Sequence, residues 1–567
     1  MFNQKKIVGY FPFLLIALSS FVMILPQWLG RDVIFGSDSI FHYNRFYDAA
    51  MQIKSLNLNY FISIYGFQQS GRIVNALYGP FFAYFQGILV LLSKNWFGYQ
   101  LLSRFVLGLF AGNSMYALLR EVKVRGTIAL ALAIFYLTTF SIQYWSIRQG
   151  FSSWGAALMP YCLIPMIRLI FQDKIEVIRL AVSVALMLQV HVLSALFLVM
   201  MYVPFYLYGL MKSSAKLKIL GQTTLSVVLA VLLTLNIWTA LIFLRQDNLL
   251  LDPFVNPLMG KHTINQASSY WLTRPQFLFV LFIAQLGYFL FYWKKVAKWE
   301  WVLAITYFLF FFLSTSYFPW QDLVDRGVKF AELIQFPFRF FIPTTVLLIV
   351  LAGRALTSFQ QRQWLLSFLL SLAVIGAMVE TSQYATQQAE KAHRNEYVLK
   401  KSKHVYLFDD YQQTRASLFD VDKRKLLRVI QKATPDYVPV YGDLTGKNTY
   451  KLYAQQIIFP NSQFKKSVTN HQLSVEWTAQ AGEKVSIPIF VYTGSQLTLN
   501  GVKLMSSDYQ LSEIGVPLVT SQQGMNKLVL TYQAPLIFTV SLVMTSLAWL
   551  GIFLTSRLHF KKLTSKA

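Results

Sequence analysis

A succession of long apolar runs governs what this chain can fold into. They occupy 7–28, 79–97, 101–119, 126–145, 153–171, 177–211, 219–243, 275–293, 299–317, 338–356, 363–382 and 534–555. A helix needs roughly 20 apolar residues to cross a bilayer, and most of these runs have them. The run 177–211 is too long for one span and divides best near His191. Only 13% of the 567 residues are charged and the mean hydropathy is +0.44, which separates the chain from soluble domains.

Charge orients the runs. Basic loops at Arg120 to Arg125, Arg168 to Arg179, Lys212 to Lys218, Lys294 to Lys298 and Arg354 to Arg362 are predicted to face the cytoplasm. Lys5-Lys6 and Lys561-Lys562 put both termini on that side, which requires an even number of crossings. The requirement is met if 79–119 crosses once, the stretch 79–97 after Gly79-Pro80 being interfacial or re-entrant. The expectation is a polytopic helical protein of about twelve crossings. No Ala-x-Ala site follows the first run, so it reads as an uncleaved anchor. The single cysteine, Cys162, excludes an internal disulfide.

Residues 1–382 are read as the multispan membrane domain, with an outer loop at 29–78. Residues 383–533 form an extracytoplasmic domain, and 534–567 a last span that re-anchors it, with a basic tail. The outer domain begins with a polar, helical stretch, Ser382 to Arg428. Short alternating runs follow at Tyr450 to Phe459, Gln472 to Thr478, Lys484 to Tyr492, Gln496 to Leu499 and Leu528 to Tyr532. With turn signals at Asn500-Gly501 and Gly524 to Asn526, they predict a small β-sandwich.

The formal charge of +26 fits basic cytoplasmic loops and attraction to anionic lipid head groups or phosphate-rich polymers. Phosphate-cradling loops, Gly-rich dinucleotide turns, zinc-ligand spacings and nucleophile elbows are missing from the sequence. A membrane enzyme without a nucleotide site draws on an already activated substrate, and a lipid-linked one is the simplest.

The stretch Gly36-Ser-Asp-Ser-Ile-Phe-His-Tyr-Asn-Arg45 offers the chemistry. Helical spacing puts Asp38, His42 and Arg45 on one face. Asp38 fits a general base that accepts the proton of an attacking hydroxyl; the competing role is a helix N-cap. His42 would orient Asp38, contact a phosphate, or simply lie near head groups. An Asp/His pair also makes half of a divalent-metal site, though no further ligands are in view. Arg45, Arg72, Arg148 and Arg339 are candidate phosphate-binding cations, with interfacial anchoring as the alternative for each. His191, Lys261 and His262 complete the substrate-binding candidates. Asp322, Asp325 and Glu332 are rival carboxylates.

These residues resemble a known family. Gly36-Ser-Asp38 with His42 and Arg45 is similar to the early Gly-x-Asp, His and Arg pattern of bacterial GT-C membrane glycosyltransferases. Tyr78-Gly-Pro-Phe-Phe-Ala-Tyr84, the turn Tyr144 to Gly150 and Gln335-Phe-Pro-Phe-Arg-Phe340 add to the likeness. They look like Gram-positive multispan proteins labelled pyruvoyl-tetrahydropterin-synthase-related, and like wall and teichoic-acid glycosylation proteins. The resemblance implies a polyprenyl-phosphate sugar donor, an extracytoplasmic glycan acceptor, a plasma-membrane location and Asp38 as base, with no nucleic-acid partner. It departs at Ser39, where the superfamily often has a second carboxylate, and this leaves metal dependence open. Two other readings stand beside it: a non-catalytic scaffold for wall-polymer assembly, and a lipid or polysaccharide transporter.

Overall fold

Residues 4–359, 363–394 and 404–564 are described by a computed structural model. Among them, nine helices are long and apolar enough to cross a membrane. A bent pair, Lys216–Leu232 and Leu235–Asp247, inclined at 61°, makes a tenth if taken as one span. The chain is thus a mostly helical, multi-pass membrane protein with a strand-rich C-terminal region.

The expected twelve crossings exceed this count for reasons of length. Val177–Val190 has 14 residues and Lys298–Leu313 has 16, so at ~1.5 Å per residue each falls short of a ~30 Å hydrocarbon layer. The stretch 79–97, already left out of the twelve, yields the 13-residue helix Pro80–Leu92. The break near His191 is present: one helix ends at Val190, the next starts at Val192, and His191 between them is extended.

The chain folds into two compact units. The first comprises the residues up to Gly36 with Gln100–Val231 and Val255–Arg394. At one end of it the basic loops are tied together. Arg168 pairs with Glu121 and Glu176, both at 2.9 Å, while Arg354 donates to Glu300 at 2.7 Å and to the Val122 carbonyl at 3.3 Å. The helix Gln363–Arg394 runs without a break through residue 382, where the sequence placed a domain boundary.

The second unit comprises Ser37–Tyr99, Leu232–Phe254 and the described residues from 404 onward. Its main sheet is antiparallel, in the order Lys465–Thr469, Gln472–Ala479, Gly524–Tyr532, Ser495–Leu499 and Val502–Lys503. A smaller sheet joins Tyr509–Leu511, Pro517–Thr520 and Lys484–Ser486. Alternation turns Leu473, Val475, Leu528 and Leu530 inward, and Val519 of the smaller sheet shares their core. Phe61, Ile62, Ile64 and Ile73 enter the same core, so the stretch between the helices Ser39–Ser55 and Pro80–Leu92 packs against the strand-rich part. The final span belongs here too: Trp549 donates to the Leu233 carbonyl at 2.9 Å.

Several local expectations need correction. Tyr450 to Phe459 is helical, not extended, as Thr449–Tyr453 followed by Ala454–Ile458. Asn448 caps it by accepting from the Lys451 amide at 3.1 Å, and the buried positions Tyr453, Ala454, Ile457 and Ile458 keep a helical period. The strand expected from Lys484 to Tyr492 stops at Ser486, two residues before Pro488, which has no amide to donate. The helical stretch to Arg428 is interrupted by Val405–Leu407, which pairs with Ile430–Lys432. The Asn500-Gly501 turn is present, with φ of +51° and +86°, and Asn470-His471 closes a second, unforeseen hairpin with +48° and +62°.

Candidate functional site

The helix Ser39–Ser55 starts in the second unit with Asp38 at its N-cap position. The capping role is filled only by the main chain: the Asp38 carbonyl accepts from the His42 amide at 3.0 Å, and its side chain makes no cap hydrogen bond. The carboxylate is 45% exposed, and its Oδ1 stands 3.7 Å from Nζ of Lys432, which is 15% exposed. Lys432 Nζ also donates to the Ser37 carbonyl, which fixes the ammonium beside the carboxylate.

One turn further along, the side chains are packed. His42 is buried, stacks on Phe46 at 5.6 Å and has Nδ1 3.4 Å from Nη1 of Arg45. Arg45 is 0% exposed. Its Nε donates to Asn75 at 3.0 Å, its Nη2 to the Tyr78 carbonyl, and its guanidinium lies 4.4 Å from the Tyr78 ring centre. Burial lowers its pKa to about 10, so it remains a cation at neutral pH.

Arg72 is likewise 0% exposed. It donates to Thr434 Oγ1 at 2.7 Å and to the Asp436 carbonyl at 2.8 Å, and lies 4.8 Å from the Phe67 ring. The approach to it is a tight turn in which Phe67, Gln68 and Gln69 all have positive φ. That turn is held from beneath by Lys466, whose ammonium donates to the carbonyls of Gln68 at 2.9 Å, Gln69 at 3.1 Å and Pro488 at 2.8 Å.

Asp436 completes this cluster. Burial raises the pKa of its carboxyl; the Arg72 charge opposes that rise, Asp38 reinforces it and Lys432 opposes it. Lys432 and Asp436 thus share one electrostatic neighbourhood with Asp38 and Arg72. Sequence reasoning missed both, because nothing local in Ile430-Gln-Lys-Ala-Thr-Pro-Asp436 marks them; only the pairing of Ile430–Lys432 with Val405–Leu407 and the reach of Arg72 bring them in.

The remaining predicted residues lie in the other unit. Arg148 ends the helix Phe140–Arg148 with an exposed side chain, and its main chain is packed so closely on Gly36 that a Cβ there would overlap it. His191 is buried and acts as the N-cap of Val192–Lys212: Nδ1 accepts from the Ser194 amide at 3.3 Å and lies 2.8 Å from its hydroxyl. Lys261 is exposed. His262 stands edge-on to Phe336 at 5.3 Å, and burial lowers its pKa. Arg339 donates to the Ile334 carbonyl at 3.0 Å and to Gln335 at 2.9 Å, and lies 5.0 Å from the Phe336 ring. Among the rival carboxylates, Asp325 accepts from Gln321 at 2.9 Å and Glu332 from Lys329 at 2.8 Å, while Asp322 is exposed.

Two chemical consequences follow. Arg45 and Arg72 are committed to peptide carbonyls and aromatic faces, so they hold the site together and reach a bound phosphate only if Tyr78 or the 434–436 segment moves. The donors near Asp38 do not fit a divalent cation either: a lysine ammonium stands beside the carboxylate, and no group of three His, Cys, Asp or Glu able to hold a metal occurs among the described residues. No protein-family model matches the chain, and no curated protein matches it.

Proposed function

We propose that this protein is a membrane glycosyltransferase of GT-C type, moving a sugar from a polyprenyl-phosphate donor to an extracytoplasmic glycan acceptor of the bacterial cell wall. The observation that carries the reading is Asp38: its carboxylate is half-exposed, is not spent on capping its helix, and is held beside a fixed ammonium. Such a group accepts the proton of an acceptor hydroxyl as the new glycosidic bond forms. The bond from the sugar to the lipid phosphate breaks at the same step and its electron pair leaves with the phosphate, so a cation rather than an acid serves the leaving group. The reading places the termini in the cytoplasm and Asp38 with the strand-rich domain outside, in a topology of about twelve crossings in which the bent pair and the shorter helices Val177–Val190 and Lys298–Leu313 each count as one.

The scaffold reading is favoured by one observation, the full burial of Arg45 and Arg72, which makes them structural. The two are separated by the wall-glycan composition of cells lacking the protein, complemented with wild type or Asp38→Asn at matched membrane levels. Restoration of a missing sugar by wild type alone, with the variant at least ~100-fold less effective, supports transfer. Full restoration by Asp38→Asn removes Asp38 as base and leaves the scaffold.

A further inference from the structure

The helix Ser39–Ser55 is accompanied along its length by a second, cationic stretch of chain. Three pairings fix the direction. At the helix start, Lys432 stands 3.7 Å from Asp38. In the middle, the short helix Arg424–Val429 packs against it, and the phenol of Tyr47 lies within the field of Arg424, Asp422 and Arg428. At the end, Lys423 lies within the field of Lys54 and reaches the Lys94 carbonyl at 3.4 Å. The stretch 423–432 therefore runs antiparallel to the helix, and its cations recur at Arg424, Arg428 and Lys432, four residues apart. The helix has 17 residues, so the row is about 25 Å long.

Solvation alone does not account for the row. Lys54, Lys94 and Lys423 come from three separate stretches of chain, and bringing like charges together is unfavourable. Burial, followed by the charge of Lys54, lowers the pKa of Lys423. The nearby carboxylates offset only part of this charge: Asp420 takes Lys425 at 2.6 Å, and Asp422, which accepts from the Arg424 amide at 3.0 Å, opposes the effect of Lys54 on Lys423 without outweighing it. Lys423 is held in place through its carbonyl, which accepts from Trp96 Nε1 at 2.8 Å. Lys54, Lys94 and Arg428 are exposed.

We propose that Lys54, Lys423, Arg428 and Lys432 form a rail that binds a linear polyanion and leads it to Asp38. A row of fixed cations suits a chain carrying a charge on each repeat better than a compact anion, which would use one end of it. The rail's role as the path of the acceptor rests on the glycosyltransferase reading; its binding of a polyanion does not.

The test uses the full-length protein in nanodiscs of zwitterionic lipid. Fluorescent inorganic polyphosphate and polygalacturonate serve as linear polyanions, and phosphatidylglycerol vesicles as a third probe. Wild type binds at least one linear polyanion, more weakly as salt is raised, and the triple variant Lys54→Ala/Lys423→Ala/Arg428→Ala binds about tenfold less tightly or worse. The control Lys451→Ala/Lys484→Ala/Lys503→Ala removes the same charge from elsewhere in the second unit and binds as wild type. Phosphate against carboxylate probes then distinguishes the chemistry of the polymer. Equal loss in both triple variants, no polyanion binding by wild type, or binding to vesicles alone overturns the proposal. Asp38→Asn removes a carboxylate beside Lys432 and so binds the polyanion at least as tightly as wild type, which lets this measurement stand by itself if the transfer reading fails.

Discussion

The Arg72 guanidinium donates to the main-chain carbonyl of Asp436 at 2.8 Å, while its charge favours the ionised form of that residue's buried carboxyl. One side chain thus supplies both a hydrogen bond and a countercharge to a segment far along the sequence. Arg72→Met removes both and leaves Asp436 less compensated, at a cost of about 3–5 kcal/mol. Arg72→Lys recovers little, because a single ammonium does not reproduce the fork that serves Thr434 and Asp436 together. Thermal unfolding of the purified protein measures this; a midpoint equal to wild type in Arg72→Met would mean that the pairing contributes nothing.

Asp48 introduces a pH dependence of stability. It accepts from the amides of Tyr65 at 2.7 Å and Gly66 at 3.0 Å and from Gln52 at 2.7 Å. Burial outweighs these bonds and raises its pKa from the ordinary 3.8 to about 6. The folded state therefore binds the proton more tightly than the unfolded chain does. The linked stabilisation, on the order of 3 kcal/mol, is fully present below about pH 3.8 and is lost as pH rises through about 6. Asp48→Asn abolishes this slope whatever it does to absolute stability. Denaturation midpoints at pH 4, 5, 6 and 7 give the answer, and an unchanged slope rules the assignment out.

His191 is predicted to matter for stability and not for transfer. Its ring caps Val192–Lys212, so His191→Ala loses about 1 kcal/mol and His191→Asn, which caps equally well, loses little. A direct substrate role would instead show as lost glycan transfer in both variants at normal membrane levels.

Gly36→Ala tests the seam that Gly36 makes with Arg148 and Gln149. The Gly36 amide donates to Gln149 Oε1 at 2.8 Å, and there is no room for a Cβ against the Arg148 main chain. The substitution is expected to cost about 3 kcal/mol and to lower membrane levels, whereas Arg148→Ala, whose side chain is exposed, leaves levels unchanged. Immunoblotting of membranes is sufficient to decide it.

What the sequence made legible is what local pattern governs. Apolar length located most of the spans but also counted Val177–Val190 and Lys298–Leu313, which fall short of spanning length; the polar interruption at His191 located a helix break, and Asn500-Gly501 located a turn. Alternation misled at Tyr450 to Phe459, where aromatic and apolar residues satisfy both periods and the Asn448 cap decides for helix. The site was legible only in part. Asp38 stood out by its company in the sequence, but Lys432 and Asp436 have no signature of their own and are brought to it by strand pairing and a buried arginine. Arg45 and Arg72 were visible as cations, yet composition does not tell a cation that meets solvent from one closed in by Phe67, Tyr78 and Tyr453.

The interleaving of the second unit sets the order in which the site comes into being during synthesis. Asp38, Arg45 and Arg72 leave the ribosome early, whereas Thr434, Asp436 and the strands that finish their surroundings are made near the end. Until then Arg72 has neither its acceptors nor its countercharge, and the core shared by Ile62, Ile73, Leu473 and Leu530 stays open. A ribosome that stops short of residue 434 therefore releases a chain with an unsheltered apolar face and an unfinished Arg72 cluster, a product that membrane quality control is built to remove. The assembled cluster is in this way reserved for chains that were completed.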